Sequence, residues 1–205
     1  MRTKLPVLFA MLATFSLPAF AQNTFLANSE VSAAFMGNFQ SKTSGQNVSD
    51  AASYSGGPLL NYRYHFTEHI ALEANYTRTR YTQFYENGAD LVTSWTQATA
   101  QEVTLGVVWK FSPIWHDRLS PYAEGGLGAV FWSPIGAGSV GGPFNQNRAG
   151  FFYGGGLEHH LFGHFSVRAG YRGLFYTAPD FNQSGQFTNA RTQMKEPYAG
   201  ISFRF

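Results

Sequence analysis

The chain of 205 residues has no cysteine, so it has neither a disulfide framework nor thiolate metal ligands. Beyond its first twenty residues it has no run of about 18 consecutive apolar residues, so no helix there is long enough to cross a bilayer. Charge is scarce. Only 13% of the residues are Asp, Glu, Lys or Arg, against about 25% in an ordinary soluble domain. No Lys/Arg-rich run occurs, which removes the feature a nucleic-acid patch needs.

What the chain has is a leader-like start and many aromatics. Arg2 and Lys4 precede a mostly apolar stretch from Leu5 to Phe20, and Ala19-Phe20-Ala21 has the small-x-small form of a cleavage site. The pattern predicts a secretory signal peptide over 1–21 and one mature domain over 22–205. Removing Arg2 and Lys4 leaves 12 basic and 12 acidic residues, so the basic isoelectric point carries no message about partners. Aromatics make up 17% of the chain. In hydrocarbon every backbone polar group must be paired internally, which allows only helices and closed barrels. An exported, aromatic-rich, charge-poor chain without spanning helices therefore points to a barrel.

Alternating apolar and polar residues over about ten positions mark a membrane strand. Eight such segments occur: Glu30 to Phe39, Pro58 to Phe66, Ile70 to Tyr81, Gln101 to Phe111, Pro121 to Trp132, Phe151 to Leu161, Phe165 to Tyr176 and Glu196 to Phe205. Residues such as Val31, Leu60, Leu72, Val103, Leu105, Leu127, Phe151, Val167 and Ile201 form the expected lipid face. The connections alternate in length. Thr67-Glu68-His69, the turn with Ser112-Pro113 and Asp117, and Phe162-Gly163-His164 are short. Gln40 to Ser55, Thr82 to Ala98, Ser133 to Arg148 and Thr177 to Gln193 are long and polar. Short periplasmic turns and long extracellular loops give this layout. The expected fold is an all-β, eight-stranded, antiparallel up-and-down transmembrane barrel.

The opposite parity carries charge: Arg63, Glu73, Glu102, Lys110, Glu124, Glu158, Arg168, Arg172, Glu196 and Arg204. On a lipid face each Arg or Lys would cost about 2–4 kcal/mol at the midplane, so these belong in the lumen. Turns centred on Glu68 and Gly163 set Arg63 opposite Glu73 and Glu158 opposite Arg168, within reach of pairing. Gly126, Gly128, Gly154, Gly156 and Gly170 are expected to leave room for the arginines. Eight strands enclose a space that side chains just fill, so the expected lumen is plugged by ion pairs.

The final residues Tyr198-Ala199-Gly200-Ile201-Ser202-Phe203-Arg204-Phe205 resemble the assembly signal of outer-membrane barrels, carried by Tyr198, Gly200, Phe203 and Phe205. Tyr62-Arg63-Tyr64-His65-Phe66 through Leu72-Glu73-Ala74-Asn75-Tyr76 resembles the first periplasmic hairpin of OmpA/OmpX-type barrels, a class that includes opacity-like proteins. Pro121 to Gly128 is similar to their fifth strand. The resemblance implies an outer-membrane location, contact with outer-membrane lipid and lipopolysaccharide, and assembly machinery that reads the C-terminal strand. It also implies a monomer that offers four loops to an extracellular ligand. Members of the class include structural proteins, adhesins and small pores, so the fold does not decide the activity. Larger OmpA-type proteins continue into a peptidoglycan-binding domain; this chain stops at Phe205, and that activity is not expected here.

His65, His69, His116, His159, His160 and His164 all fall at the expected periplasmic rim, far from the outer leaflet where a lipid A-modifying enzyme would act. His159 and His160 are adjacent on a strand and point to opposite faces, so they cannot share a metal ion. Gly136 to Gly141 matches G-x-G-x-x-G but is followed by Gly142-Pro143, which reads as a loop and not as a dinucleotide site. The expectation is a non-enzymatic barrel without cofactor or metal. The alternative is a narrow pore lined by Glu102, Glu124, Arg168 and Arg172. Tyr85, Trp95 and Phe144 read either as loop contact residues or as part of an outer aromatic girdle with Tyr81, Phe131, Trp132 and Phe152.

Overall fold

The computed structural model describes residues 25–88, 92–115, 118–135, 142–183 and 186–205. The expected leader over 1–21, His116, Asp117 and the glycine-rich stretch 136–141 lie outside them. Ten strands follow in chain order: β1 (Ser29–Gln40), β2 (Thr43–Gly45), β3 (Val48–Ala52), β4 (Ser55–His65), β5 (Ile70–Asn87), β6 (Val92–Lys110), β7 (Leu119–Pro134), β8 (Gln146–Phe162), β9 (Phe165–Thr177) and β10 (Arg191–Arg204).

Eight of these strands close into an antiparallel barrel. β1 pairs with both β4 and β10, and each other barrel strand pairs with its two neighbours, so the cylinder has no free edge. The register can be followed once around. Phe165 lies beside Phe203, then Val31, Tyr62, Ala74, Leu105, Leu127, Phe151 and finally Phe175, ten residues further along β9. With strand spacings of about 4.8 Å and rises of about 3.3 Å, that stagger tilts the strands by about 40°. Ten residues of β9 then climb about 25 Å, the height of an apolar membrane band.

Side-chain alternation follows the sequence pattern. Leu59, Asn61, Arg63 and His65 are buried in the lumen, while Leu60 and Tyr62 are exposed on the outside. Phe66, Trp109, Phe111, Phe165 and Phe205 rim the periplasmic end of the outer face. Phe39, Phe131, Phe151 and Phe175 rim the other, with Phe151 and Phe175 stacked at 5.1 Å.

The periplasmic turns are tight for local reasons. Thr67 Oγ1 accepts hydrogen bonds from the amides of His69 and Ile70 at 3.2 and 3.0 Å. Gly163 takes the left-handed φ of 55° between β8 and β9, which glycine adopts without a Cβ penalty.

The extracellular side differs from the sequence expectation. Residues 82–98 are mostly strand: β5 and β6 stay paired up to Asn87 and Val92, well beyond the membrane band. The outward face there sets the pair Phe84 and Trp95 among polar residues, so it lacks the unbroken apolar alternation of a lipid-facing strand. Within the first loop β2 and β3 form a hairpin, and β3 pairs with β5 from Gln83 to Asn87, above the end of β4. Tyr81, Trp132 and Phe152, expected in an outer girdle, are buried inside the barrel, as is Tyr85. Their parity is that of the lumen, and the lumen's outer end is apolar. Trp95 and Phe144 are exposed.

Candidate functional site: the charged lumen

The lumen is built in layers. The periplasmic layer centres on Arg63, fully buried from β4. Its Nε and Nη2 donate to Glu73 Oε2 at 2.8 and 2.6 Å, and its Nη1 donates to Glu158 Oε2 at 3.2 Å. Lys110 donates to Glu158 Oε1 at 2.9 Å. Arg168 reaches Glu30 at 3.4 Å and Ser32 Oγ at 2.8 Å, with Glu73 at 3.7 Å. Glu30 also holds His65 Nε2 at 2.9 Å. Three carboxylates thus face three permanent cations, which offsets the cost of removing them from water.

Above this layer stand two tyrosines. The hydroxyls of Tyr122 and Tyr198 lie 2.5 Å apart, and Tyr198 donates to Glu124 Oε1 at 3.1 Å. Glycines on the facing strands create the space. A Cβ at Gly156 would sit 2.6 Å from the Tyr122 hydroxyl, and one at Gly170 would sit 2.8 Å from the Tyr198 hydroxyl. Gly154 does the same for Glu124. The lumen glycines therefore accommodate tyrosine and glutamate more than the arginines they were expected to serve. Gly126 and Gly128 face Leu105–Gly106 backbone and Thr104 with Leu174.

The next layer is Arg172, fully buried, with Nε and Nη2 donating to Glu196 Oε2 at 3.1 and 2.8 Å and Nη2 also bonded to Glu102. Asn38 donates to Glu196 Oε1 at 3.2 Å. An apolar layer follows, of Tyr81, Val130, Trp132, Phe152, Leu174, Tyr176 and Met194. The fourth loop closes it: Phe181 is fully buried and meets Trp132 edge-on at 6.2 Å. That loop is tied down by Gln146, which donates to Asp180 at 2.6 Å, by Arg148 at 3.4 Å from Asp180, and by Tyr85, whose hydroxyl donates to Pro179 O at 2.9 Å.

The register sets Arg63 opposite Glu73 and Glu158 opposite Arg168. Arg63 and Glu73 bond to each other, but Glu158 and Arg168 do not. Opposed strand positions bring Cβ atoms close, yet both side chains are long enough to cross the lumen. Glu158 is claimed by Arg63 and Lys110 from β4 and β6, and Arg168 by Glu30 from β1. Arg204 is exposed and not in the lumen interior. It ends β10 at the periplasmic mouth, where water reaches it.

Of the four residues expected to carry an assembly signal, Tyr198 points into the lumen, Gly200 packs against Ala33 and Ala34 of β1, and Phe203 and Phe205 stack edge-on at 5.2 Å on the outside. Tyr122 and Phe181 were not singled out by sequence reasoning, and Glu30 and His65 were not among the expected lumen charges. Parity pointed Glu30 inward; nothing periodic marked Phe181. Among the described residues no group of three His, Cys, Asp or Glu side chains is placed to hold a metal ion.

The chain matches the outer membrane protein beta-barrel domain family over residues 7–205. It belongs to that family. Members reside in the outer membrane, and so does this barrel. No curated protein sequence matches it. Among solved structures, Neisserial surface protein A is similar with a TM-score of 0.60 at 18% identity, covering 87% of this chain and 97% of that one. The N-terminal β-barrel domain of Pseudomonas aeruginosa OprF has a TM-score of 0.46 at 18% identity, covering 86% and 98%. Ail of Yersinia pestis has a TM-score of 0.45 at 19% identity, covering 86% and 99%. At 18% identity the likeness to Neisserial surface protein A shows the fold of this outer-membrane barrel and not its activity.

Proposed function

We propose that this outer-membrane barrel is a closed, non-enzymatic scaffold: ion pairs plug its lumen, and its extracellular loops and hairpins are its working surface. It is exported by a leader over 1–21, assembled through Tyr198, Gly200, Phe203 and Phe205, and stands as a monomer in lipid and lipopolysaccharide. The observation that carries this reading is the continuous stack of buried side chains from Arg63 to Phe181. A conducting lumen needs a file of water, and each layer here replaces water with a bonded or packed side chain.

A narrow pore is the second reading. What favours it is a surplus of carboxyls above the periplasmic layer: Glu102 and Glu196 share the guanidinium of Arg172, and Glu124 below them is bonded to the Tyr198 hydroxyl and not to a cation. Single-channel recording of the refolded protein in a planar bilayer separates the two. The scaffold reading expects no discrete openings from protein shown to be folded. Reproducible, cation-selective openings altered by Glu124→Gln would overturn it in favour of the pore.

A further inference from the structure

The periplasmic mouth of the lumen opens into a chamber of about 360 Å³, lined by Lys110, Arg118, His160, Ser166, Ser202 and Arg204 among others. Register explains why hydrogen-bond donors gather there. The main-chain oxygen of Arg118 accepts from the His160 amide at 2.9 Å, His160 is followed across the sheet by Ser166, and Ser166 by Ser202. His160, Ser166 and Ser202 share the inward parity of Glu158, Arg168 and Tyr198, so they form a continuous row across β8, β9 and β10. Ser120 of β7 lies beside Glu158, one step deeper. Arg204 takes the next inward position of β10 towards the periplasm, where its amide donates to His164 O at 3.0 Å. This row carries no acid. The chamber's two glutamates, Glu30 and Glu158, stand at its inner end, where with Glu73 they face Arg63, Arg168 and Lys110. Three carboxylates against three cations leave that layer neutral. Arg118 and Arg204 are exposed and form no ion pair with a side chain of the described residues. Even with the main-chain carboxylate of Phe205, also on the rim, set against one of them, an arginine remains.

We propose that this chamber binds a small periplasmic phosphate monoester that carries hydroxyl groups, of the sugar phosphate class. Arg118 and Arg204 supply the charge, and each guanidinium is a planar fork that can give two hydrogen bonds to a phosphate. His160 and His164 each keep a ring N–H in either protonation state. Ser32, the next residue of the row, is already held by Arg168 at 2.8 Å, but the hydroxyls of Ser120, Ser166 and Ser202 are bonded to no other described side chain. From Arg118 to Ser202 the row spans about three strand spacings, or about 14 Å of wall. That is wider than one phosphate, and the donors left over suit the hydroxyls of the ester. The volume stands at the low end for ligand pockets, which limits the occupant to a small solute. The barrel wall separates it from phospholipid. Ser166 and Ser202 face the chamber, while their neighbours Phe165, Val167 and Ile201 are exposed on the lipid side. A headgroup tethered to acyl chains outside the wall is therefore not the source of the phosphate.

The chamber lies on the periplasmic side of the plug, so it stands whether or not the lumen conducts. The test is a titration of the full refolded protein in nonionic detergent, read by the amide chemical shifts of 118–120, 158–166 and 202–204 at constant ionic strength. The probes are glucose 6-phosphate, glucose, inorganic phosphate, and phosphatidylglycerol mixed into the micelle. Expected are saturable shifts with glucose 6-phosphate, half complete at about 1 mM or below. Glucose should give none, inorganic phosphate should bind more weakly than the ester, and phosphatidylglycerol should not displace it. Arg118→Ala with Arg204→Ala should weaken the ester's binding at least about tenfold, while Lys42→Ala with Arg191→Ala on the extracellular side should keep it. All four side chains are exposed, and the heat-dependent gel shift of the folded barrel serves as the folding control. Shifts that never saturate or that chloride reproduces, displacement by phosphatidylglycerol, inorganic phosphate binding as tightly as the ester, or undiminished binding in the Arg118 and Arg204 double variant would each overturn the proposal.

Discussion

At the scale of single residues, the lumen shows how a buried charge depends on the number of partners it serves. Arg63 is bonded to two carboxylates and lies near a third, whereas Arg168 makes one long contact to Glu30, lies near Glu73 and makes one bond to a serine. Removing one partner of a fully buried ion pair costs about 3–5 kcal/mol, because the other charge stays buried. Arg63→Ala should therefore lower the unfolding free energy of the barrel in lipid by about that amount, leaving Glu73 without its nearest cation. Arg168→Ala should cost distinctly less, because Arg63 still faces both Glu30 and Glu73. Urea titrations in vesicles check this, and an Arg168 variant as damaged as the Arg63 variant would show that the partner assignment is wrong. Parity put both arginines in the lumen. It could not choose their partners, because a lumen this narrow lets a side chain reach across as easily as to its neighbour. The use of the glycines was hidden by register instead: Gly156 and Gly170 were visible as small lumen positions, but only the pairing of β7 with β8 and of β10 with β9 sets Tyr122 and Tyr198 directly beside them.

At the scale of elements, the membrane strands were legible and the extracellular ones were not. The segments Pro58 to Phe66, Ile70 to Tyr76 and Val103 to Phe111 carry an apolar outer face because lipid demands it. Above the band that demand ends, and the pairing of Gln83 with Thr96 or of Ala52 with Gln83 leaves no hydrophobic period to detect. What docks the β2–β3 hairpin is polar. Asp50 is fully buried, accepting from Gln40 Nε2 at 3.0 Å; Gln40 in turn accepts from Gln83 and from the Tyr176 hydroxyl at 3.0 Å each. Burial pushes the Asp50 carboxyl up to about 7, with the Gln40 bond working in the other direction. A carboxyl with a raised value favours the docked state in its neutral form. Docking is therefore firmest below the unfolded value of about 4 and weakens as pH rises from there through about 7. Amide hydrogen exchange from 48–52, corrected for the intrinsic pH effect, should accelerate between pH 5 and 8. Asp50→Asn, which keeps the shape and removes the charge, should flatten that dependence. Pronounced acceleration in the Asn variant would locate the cause elsewhere, with Tyr85, Arg148 and Asp180 as the other ionisable groups near the mouth.

At the scale of the whole molecule, closure and stagger decide where every outward residue stands relative to the bilayer. Eight strands and a stagger of ten residues mean that a row of neighbours climbs from the periplasmic rim to the outer rim in one circuit. Sequence position alone therefore does not give depth; the count of strands from Phe165 is needed as well. Leu105, five strands along that row, lies near mid-height with its side chain about half exposed to lipid. Thr99 lies six residues further out on the same face of β6, above the band. A lipid-facing Arg costs about 2–4 kcal/mol at the midplane and about 0–1 kcal/mol near the interfaces. Leu105→Arg should thus lower stability in vesicles by about 2–4 kcal/mol, while Thr99→Arg should change it by less than about 1 kcal/mol. Neither side chain touches the lumen, so neither effect can pass through the ion pairs. Reversible unfolding of both variants in bilayers of one thickness supplies the comparison. A penalty that is the same at both positions would mean that the register-derived heights do not describe how the barrel sits. A penalty confined to Leu105 would fix the apolar band at the height that the register gives.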